Sequence, residues 1–292
     1  MAEPLLRFSE DESAAIVGAS FAGCTDQRLR SVLGLLVQHL HDFAKEVELS
    51  QAELDAAIAF LTATGQMCDD TRQEFVLLSD VLGLSMLVDS IANRAPIGAT
   101  ASTVLGPFHM VDSPARELGD TIALAGGGEP TLVTGRVLSV EGSALPRALV
   151  DVWQADADGY YDVQRPGEVP ERNLRGLFTC DGDGYFWFQT ILPAPYPIPD
   201  DGPVGRLLRA TGRHPNRPAH IHFIVGAAGH VPLTTHLFVA GSPYLDSDAV
   251  FGVKDSLVVD FKTVDDPTLA AAYRMPTPFR HADVEIWLRT DS

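Results

Sequence analysis

The sequence is short of cysteine, of basic residues and of long apolar runs, and each shortage removes a class of protein. Cys24, Cys68 and Cys180 are the only thiols. They are far apart, odd in number and form no C-x-x-C pair. Neither a disulfide scaffold nor a thiolate metal site is expected, and free thiols in a reducing cytosol are. Lys and Arg number 21 against 39 Asp and Glu, for a formal charge of −18. Such a field repels a phosphate backbone, which excludes nucleic acid as a partner. The opening stretch MAEPLLRFSEDESAAIV has no basic segment followed by an apolar one. No run reaches the ~20 apolar residues that span a bilayer. A cytoplasmic protein without a membrane segment is therefore expected. What is present is a globular composition, 292 residues with 46% hydrophobic content, enough for one large or two modest domains.

The chain changes character near residue 100. Before it, Leu29, Val32, Leu33, Leu36, Leu40, Phe43 and Val47 recur at three and four residues and lay an apolar stripe on one helical face. Ser50 with Glu53, and Thr71 with Glu74, have the spacing of capping boxes. The spacing predicts one helix over Asp69 to Asn93, carrying Gly83 at some cost and ended by Pro96. After Pro107 come short β-rich runs: 131–140, 148–155, 185–191, 220–225, 235–239, 256–261 and 284–289, separated by Gly, Pro and Asp. The pattern predicts a mainly β protein with a helical N-terminal part: helices over 1–105 and an antiparallel β-sandwich over 106–292. The segment 192–219 is long, rich in Pro and Arg and not strand-like. Segments of that kind in a compact domain are usually functional.

One strand carries chemistry on its face. In Arg217-Pro218-Ala219-His220-Ile221-His222-Phe223, alternation points His220 and His222 one way and Ile221 and Phe223 the other. Two imidazoles one strand-step apart can chelate a metal, and imidazole suits Zn, Cu, Fe and Ni. Taken alone, the pair reads equally well as two ordinary histidines on a half-polar strand. Two tyrosines stand in unusual places. Tyr161 follows the turn Asp158-Gly159, and Tyr196 sits between prolines that stiffen its backbone. On spacing alone both can equally be packing residues with bonded hydroxyls.

Several spaced stretches resemble one family. LGPFHMVDSP (105–114), ALVDVWQADADGYYD (148–162), RGLFTCDGDGYFWFQTILPAPYPIPDDGP (175–203) and GRHPNRPAHIHFIV (212–225) occur in the order found in the intradiol dioxygenases, and LTTHLFV (233–239) and SLVVDF (256–261) follow. That family comprises catechol, chlorocatechol and hydroxyquinol 1,2-dioxygenases. The resemblance implies one Fe(III) per subunit, held by Tyr161 (the Tyr eight residues after Trp153), Tyr196, His220 and His222. It pairs Tyr196 with His222 as axial ligands and Tyr161 with His220 as equatorial ones. It implies that Tyr196 acts as a base toward an aromatic diol or triol that reacts with O2, and that Arg217 stabilises charge on the ring. It also implies a homodimer formed through the helices of 1–105, at whose interface relatives can trap a lipid tail.

Within the family, PAPYPIP and DVLGLSMLVDSI (80–91) look most like the hydroxyquinol-cleaving enzymes. By position, the substrate pocket is expected to draw on Met86, Asp89, Val104, Leu105, Gly106, Pro107, Phe108, Ile198, Pro199 and Arg217. Asp89 can accept a hydrogen bond from a third ring hydroxyl, or be a helix-surface residue beside Asn93. His236 stands where the catechol-cleaving members usually carry Gln. Catechol and chlorocatechol cleavage remain alternatives. An Fe(II) site of two His and a carboxylate, or a transthyretin-like binding module without activity, would belong to other classes.

Overall fold

The structure, a computed structural model, describes residues 7–69, 72–94, 98–125 and 127–291. It forms two compact units, residues 1–63 and 64–292. The cap expected at Thr71 and the stop expected at Pro96 lie outside the described residues. Among the described residues no single helix is long and apolar enough to cross a membrane. All three cysteines are free.

The first unit is helical. Helix α1 spans Ser13–Ala19, α2 Gln27–Glu46, and α3 begins here as part of Gln51–Gln66. Asp26 caps α2 by accepting from the Leu29 N–H at 3.0 Å. The Ser50–Glu53 capping box forms in both directions. The stripe on α2 is present, yet no residue of that helix is buried. Leu36, Leu40 and Phe43 are all about half exposed.

In the second unit the single helix expected over Asp69 to Asn93 is two, α4 (Glu74–Val81) and α5 (Leu84–Ala92). They meet at 78°. Gly83 makes the break: its φ of +73° is the left-handed conformation that glycine holds without a Cβ clash. Buried Glu74 at the start of α4 accepts from the Val204 N–H, and Arg72 bridges Glu74 and Asp201. Val204 belongs to α6 (Pro203–Ala210), a helix inside the segment 192–219, with Pro203 in its first turn.

Two sheets face each other over the core. The larger runs β1 (Ala115–Arg116), β4 (Arg175–Thr179), β3 (Leu149–Gln154), β8 (His220–Gly226), β9 (Leu233–Val239) and β10 (Val258–Val259). The smaller runs β11 (Lys262–Val264), β12 (Phe279–Leu288), β2 (Pro130–Ser139) and β5 (Tyr185–Ile191). Helix α7 (Pro267–Tyr273) lies between β11 and β12 in the chain. A two-stranded piece pairs β6 (Tyr196–Pro197) with β7 (Asn216–Arg217). The sandwich is mixed rather than antiparallel throughout. The pairs β1–β4, β9–β10 and β2–β12 are parallel. Each joins strands separated by a long stretch of chain, where no hairpin dictates opposite directions. By contrast β8 and β9, six residues apart, are antiparallel.

Phe178, Phe186, Phe188 and Phe223 meet between the sheets, fully buried, with Val150, Val152, Ile221 and Val225 around them. Phe223 contacts Phe186 and Phe188 with ring centroids 6.2 and 6.3 Å apart. This contact fixes which face of β8 is inside. Replacing Phe223 by Ala is expected to cost about 3–5 kcal/mol of stability through lost transfer and a residual cavity. Urea denaturation read by far-UV circular dichroism checks it, and a loss under about 1 kcal/mol would show that Phe223 does not hold the strand.

Candidate active site

With Ile221, Phe223 and Val225 turned into the core, His220 and His222 project from the opposite face of β8. Sheet register sets their neighbours. Trp153 of β3 and His236 of β9 flank His222 directly, and Phe238 lies opposite His220. The Trp153 indole stacks on the His222 ring at 4.5 Å and 13°. The second ring nitrogens are occupied. His220 Nδ1 lies 2.7 Å from the Pro218 carbonyl, and His222 Nδ1 lies 2.6 Å from His236 Nε2. A carbonyl only accepts, so His220 carries its proton on Nδ1 and offers a bare Nε2 lone pair.

Tyr161 is delivered by a loop and Tyr196 by the short strand β6 in the Pro-rich segment. Past β3, Asp156 accepts from the N–H groups of Asp158 and Tyr160, shaping the turn. Tyr160 is left half exposed under the Arg165 guanidinium, and Tyr161 is turned fully inside. The Phe108 ring stacks on Tyr161 at 4.6 Å. Buried Arg175 bonds Asp162 through Nε and Nη2 and donates to the Phe108 carbonyl at 2.7 Å, so one guanidinium ties both residues down. Tyr196 is held by the β6–β7 pairing, opposite Arg217. The two segments touch at Gly159, where an added Cβ would lie 3.0 Å from Tyr196 Cβ and 3.1 Å from the Pro195 carbonyl.

The four side chains singled out in the sequence converge. Tyr161 Oη lies 3.0 Å from His222 Nε2 and 3.3 Å from Tyr196 Oη, and the two histidine Nε2 atoms are 3.2 Å apart. Donors bound to one metal at ~2.0–2.1 Å stand about 2.8–3.4 Å from one another, so these spacings fit a single ion among them. Two phenolic oxygens supply hard anionic donors and two imidazoles supply neutral ones, a set suited to trivalent iron. His220, His222 and His236 are also close enough to share a metal. His236, however, meets the Nδ1 edge of His222, while Tyr161, itself beside Tyr196, lies at Nε2. This makes His236 a partner of His222 rather than a fifth donor.

Arg217 is buried beside the donors, with Nη1 3.3 Å from His220 Nε2 and 3.5 Å from Tyr196 Oη. A narrow cavity opens there. Val104, Gly106, Pro107, Phe108, Ile198, Pro199 and Arg217 line it as expected, and Tyr196 does too, whereas Tyr161 does not. Gly106 has φ +77°, and a Cβ on it would lie 3.1 Å from the His222 ring. The structure does not bring Met86, Asp89 or Leu105 into this cavity. Met86 is buried on α5, and Asp89 and Leu105 line a separate cavity of about 210 Å³. Asp89 is engaged there by Ser102, Asn93 and Lys254. The carboxyl that lines the first cavity is Asp80 of α4, beside Leu77 and Val250, three residues the sequence did not single out. The two helices divide at Gly83: α4 contributes Leu77 and Asp80 to this cavity and α5 contributes no residue.

Burial dominates the titration of these groups. It holds His220 down to about 3, helped by the Arg217 charge, and holds His222 and His236 well below the usual histidine range. Burial, with Tyr196 alongside, pushes the Tyr161 phenol well up. Burial also raises Asp80, against the opposing pull of Ser85 and Arg217. For the metal-free chain the sign follows. Below about pH 6.5 an unfolded chain protonates these histidines and the folded one does not. The unfolded state then binds more protons, so stability falls as pH drops from 6.5 toward 3. Urea midpoints at a series of pH values are expected to show this fall. In His236→Gln the slope should be shallower by about 1.4 kcal/mol per pH unit, and equal slopes would show that His236 is not held neutral.

Comparison with known proteins agrees with this geometry. Residues 112–288 match a family model described as "Dioxygenase", and residues 26–100 match "Catechol dioxygenase N terminus". A hydroxyquinol 1,2-dioxygenase of Rhizobium sp. (strain MTP-10005) is 52% identical over 259 residues, covering 89% of this chain and 88% of that protein. A 6-chlorohydroxyquinol 1,2-dioxygenase of Cupriavidus pinatubonensis is also 52% identical, over 89% of this chain and 93% of its own. The crystal structure of hydroxyquinol 1,2-dioxygenase from Pseudomonas putida DLL-E4 superposes with a TM-score of 0.91 at 47% identity, covering 97% of this chain and 99% of that one. A match of that extent, over a buried cluster of two phenols and two imidazoles, makes this chain a member of the intradiol ring-cleavage dioxygenases, a family of iron-dependent oxidoreductases.

Proposed function

We propose that the chain is a hydroxyquinol 1,2-dioxygenase, which opens benzene-1,2,4-triol between its adjacent hydroxyls. Both atoms of O2 enter the product, 3-hydroxy-cis,cis-muconate, which tautomerises to maleylacetate. The observation that carries this reading is the Asp80 carboxyl lining the cavity beside Tyr196 and Arg217. Catechol has no third hydroxyl to meet it. A site built to bond a hydroxyl discriminates against analogues that lack it far more strongly than an apolar pocket discriminates by size. The names of the 52%-identical relatives support the same choice.

In this reading Tyr161, Tyr196, His220 and His222 hold one ferric ion. When bound, that ion supplies the Lewis acidity that lowers the pKa of a catechol-type diol and opens it to reaction with O2. The chain's own residues do the remainder. Tyr196 lines the cavity with its Oη beside Arg217, so it is the phenol placed to take a proton from the entering diol. Tyr161, sealed under Phe108, stays as a fixed donor. Arg217 Nη1 points where negative charge builds on the ring, an electrostatic aid strengthened by exclusion of water. Ile198, Pro199, Phe108 and Val104 form apolar walls that orient the ring and keep water from it. Asp80 accepts a hydrogen bond from the third hydroxyl.

We further propose that the helical residues up to about 105 form a dimerisation layer and that the protein works as a cytoplasmic homodimer. The apolar stripe of α2, with no buried residue in the single chain, supports this. Light scattering is expected to give twice the monomer mass, and Phe43→Glu to shift it toward the monomer. A monomeric wild type would end that part of the reading.

For the activity, the iron-loaded protein is expected to be red-brown from tyrosinate charge transfer. The band should shift when hydroxyquinol is added without O2. Turnover should be faster on hydroxyquinol than on catechol or chlorocatechols. Asp80→Ala should lower kcat/KM for hydroxyquinol by about 10–100-fold and change that for catechol far less. A colourless iron protein, or one faster on catechol, would overturn the assignment.

A further inference from the structure

Arg217 is not left to find its own direction. Asp248, on the connection between β9 and β10, is 5% exposed, and Arg217 is 3% exposed. Arg217 donates from Nε to Asp248 Oδ1 at 3.1 Å and from Nη2 to Oδ2 at 3.3 Å. Asp248 also accepts from the backbone N–H of Val250 at 3.3 Å and of Gly252 at 2.9 Å. Four donors on two oxygens leave this carboxylate no freedom to turn.

A guanidinium is a flat fork of fixed shape. Once the edge made by Nε and Nη2 is bound, the plane is set and Nη1 must point the other way. That nitrogen is the one near Tyr196 Oη and His220 Nε2. Space for the arrangement is narrow. A Cβ at Gly252 would stand 3.0 Å from Arg217 Nη2 and 3.1 Å from Asp248 Oδ2, so only glycine leaves the pair undisturbed.

We propose that Asp248 is a positioning residue for ring opening, clamping one edge of Arg217 so that Nη1 is aimed at the charge that develops on the substrate. This rests on the role given to Arg217 above. Asp248 is hydrogen-bonded to none of the four donors and does not line the cavity; its charge is felt at His220, and its hydrogen bonds to a side chain go to the arginine, so Gly252→Ala, which keeps that charge, isolates the clamp. The carboxamide of Asp248→Asn keeps the shape but turns one acceptor into a donor facing another donor, which releases the fork. Gly252→Ala crowds the same clamp and leaves every charge in place.

The test uses the full-length iron-loaded protein as wild type, Asp248→Asn, Arg217→Gln and the double variant, with Gly252→Ala as a second route should Asp248→Asn fail to fold. Asp248→Asn is expected to lower kcat on hydroxyquinol about tenfold or more, with KM changed far less. Iron content and the resting charge-transfer band should stay those of the wild type. In the Arg217→Gln background, Asp248→Asn should add less than about a twofold loss, because the group it acts through is gone. Gly252→Ala should reproduce the kcat loss and be equally silent in that background. Full kcat in Asp248→Asn, loss of iron, or a loss that multiplies undiminished onto that of Arg217→Gln would each overturn the proposal. Full activity in Arg217→Gln would instead remove the role of Arg217, and the reading of Asp248 with it.

Discussion

The site depends on the period-two alternation of β8, pinned from behind by Ile221, Phe223 and Val225 in the core. A slip of one residue would drive two imidazoles between the phenylalanines and put Phe223 where a donor stands. The core thus does more than stabilise. It selects the register, and the register aligns Trp153, His222 and His236 in one row across three strands. The row closes one face and the rear nitrogen of His222 and leaves one lone pair for chemistry.

The oxygen donors have a different origin. The strands of the two sheets cannot bring two tyrosines onto a pair of histidines from the open side, and segments outside them can, provided they are stiff. Stiffness comes from separate devices: an Asx turn at Asp156, the Arg175 guanidinium reaching two loops, prolines around Tyr196, and pairing of β6 with β7. Gly159 lets the two segments approach within contact. The burial that makes this arrangement rigid also holds the imidazoles neutral and the Tyr161 phenol protonated when no cation is near. An ion entering the cluster therefore finds both nitrogen donors ready and must displace protons from oxygen.

Much of this was legible in the sequence, and the gaps have physical reasons. The alternation around His220 and His222 showed which residues share a face, and the family resemblance singled out Tyr161 over its neighbour. Most strand positions followed from β-rich runs between turns. Strand β4 was missed because RGLFT is short and runs into a turn, and α6 because its helix sits inside a segment dominated by Pro and Arg. The antiparallel expectation failed where long connections let distant strands pair in parallel, since local patterns carry no direction for such pairs. Asp89 follows from position in the family pattern, whereas the carboxyl that lines the cavity is Asp80. Both carboxylates lie in the same apolar run, on two helices that the left-handed Gly83 separates. Asp248 had no local signature, because its meaning lies in a partner 31 residues away.

The bend at Gly83 has a consequence for how such an enzyme changes over time. The two tyrosines and two histidines proposed to hold iron stand on the sheet and its loops, while Asp80 arrives on a helix that is a separate piece of backbone. Under the proposed assignment, side chains on that helix can be replaced without touching the four donors. Selectivity and reactivity would then be carried by parts that mutation can explore independently, and one scaffold could diversify its diet while its chemistry stays put.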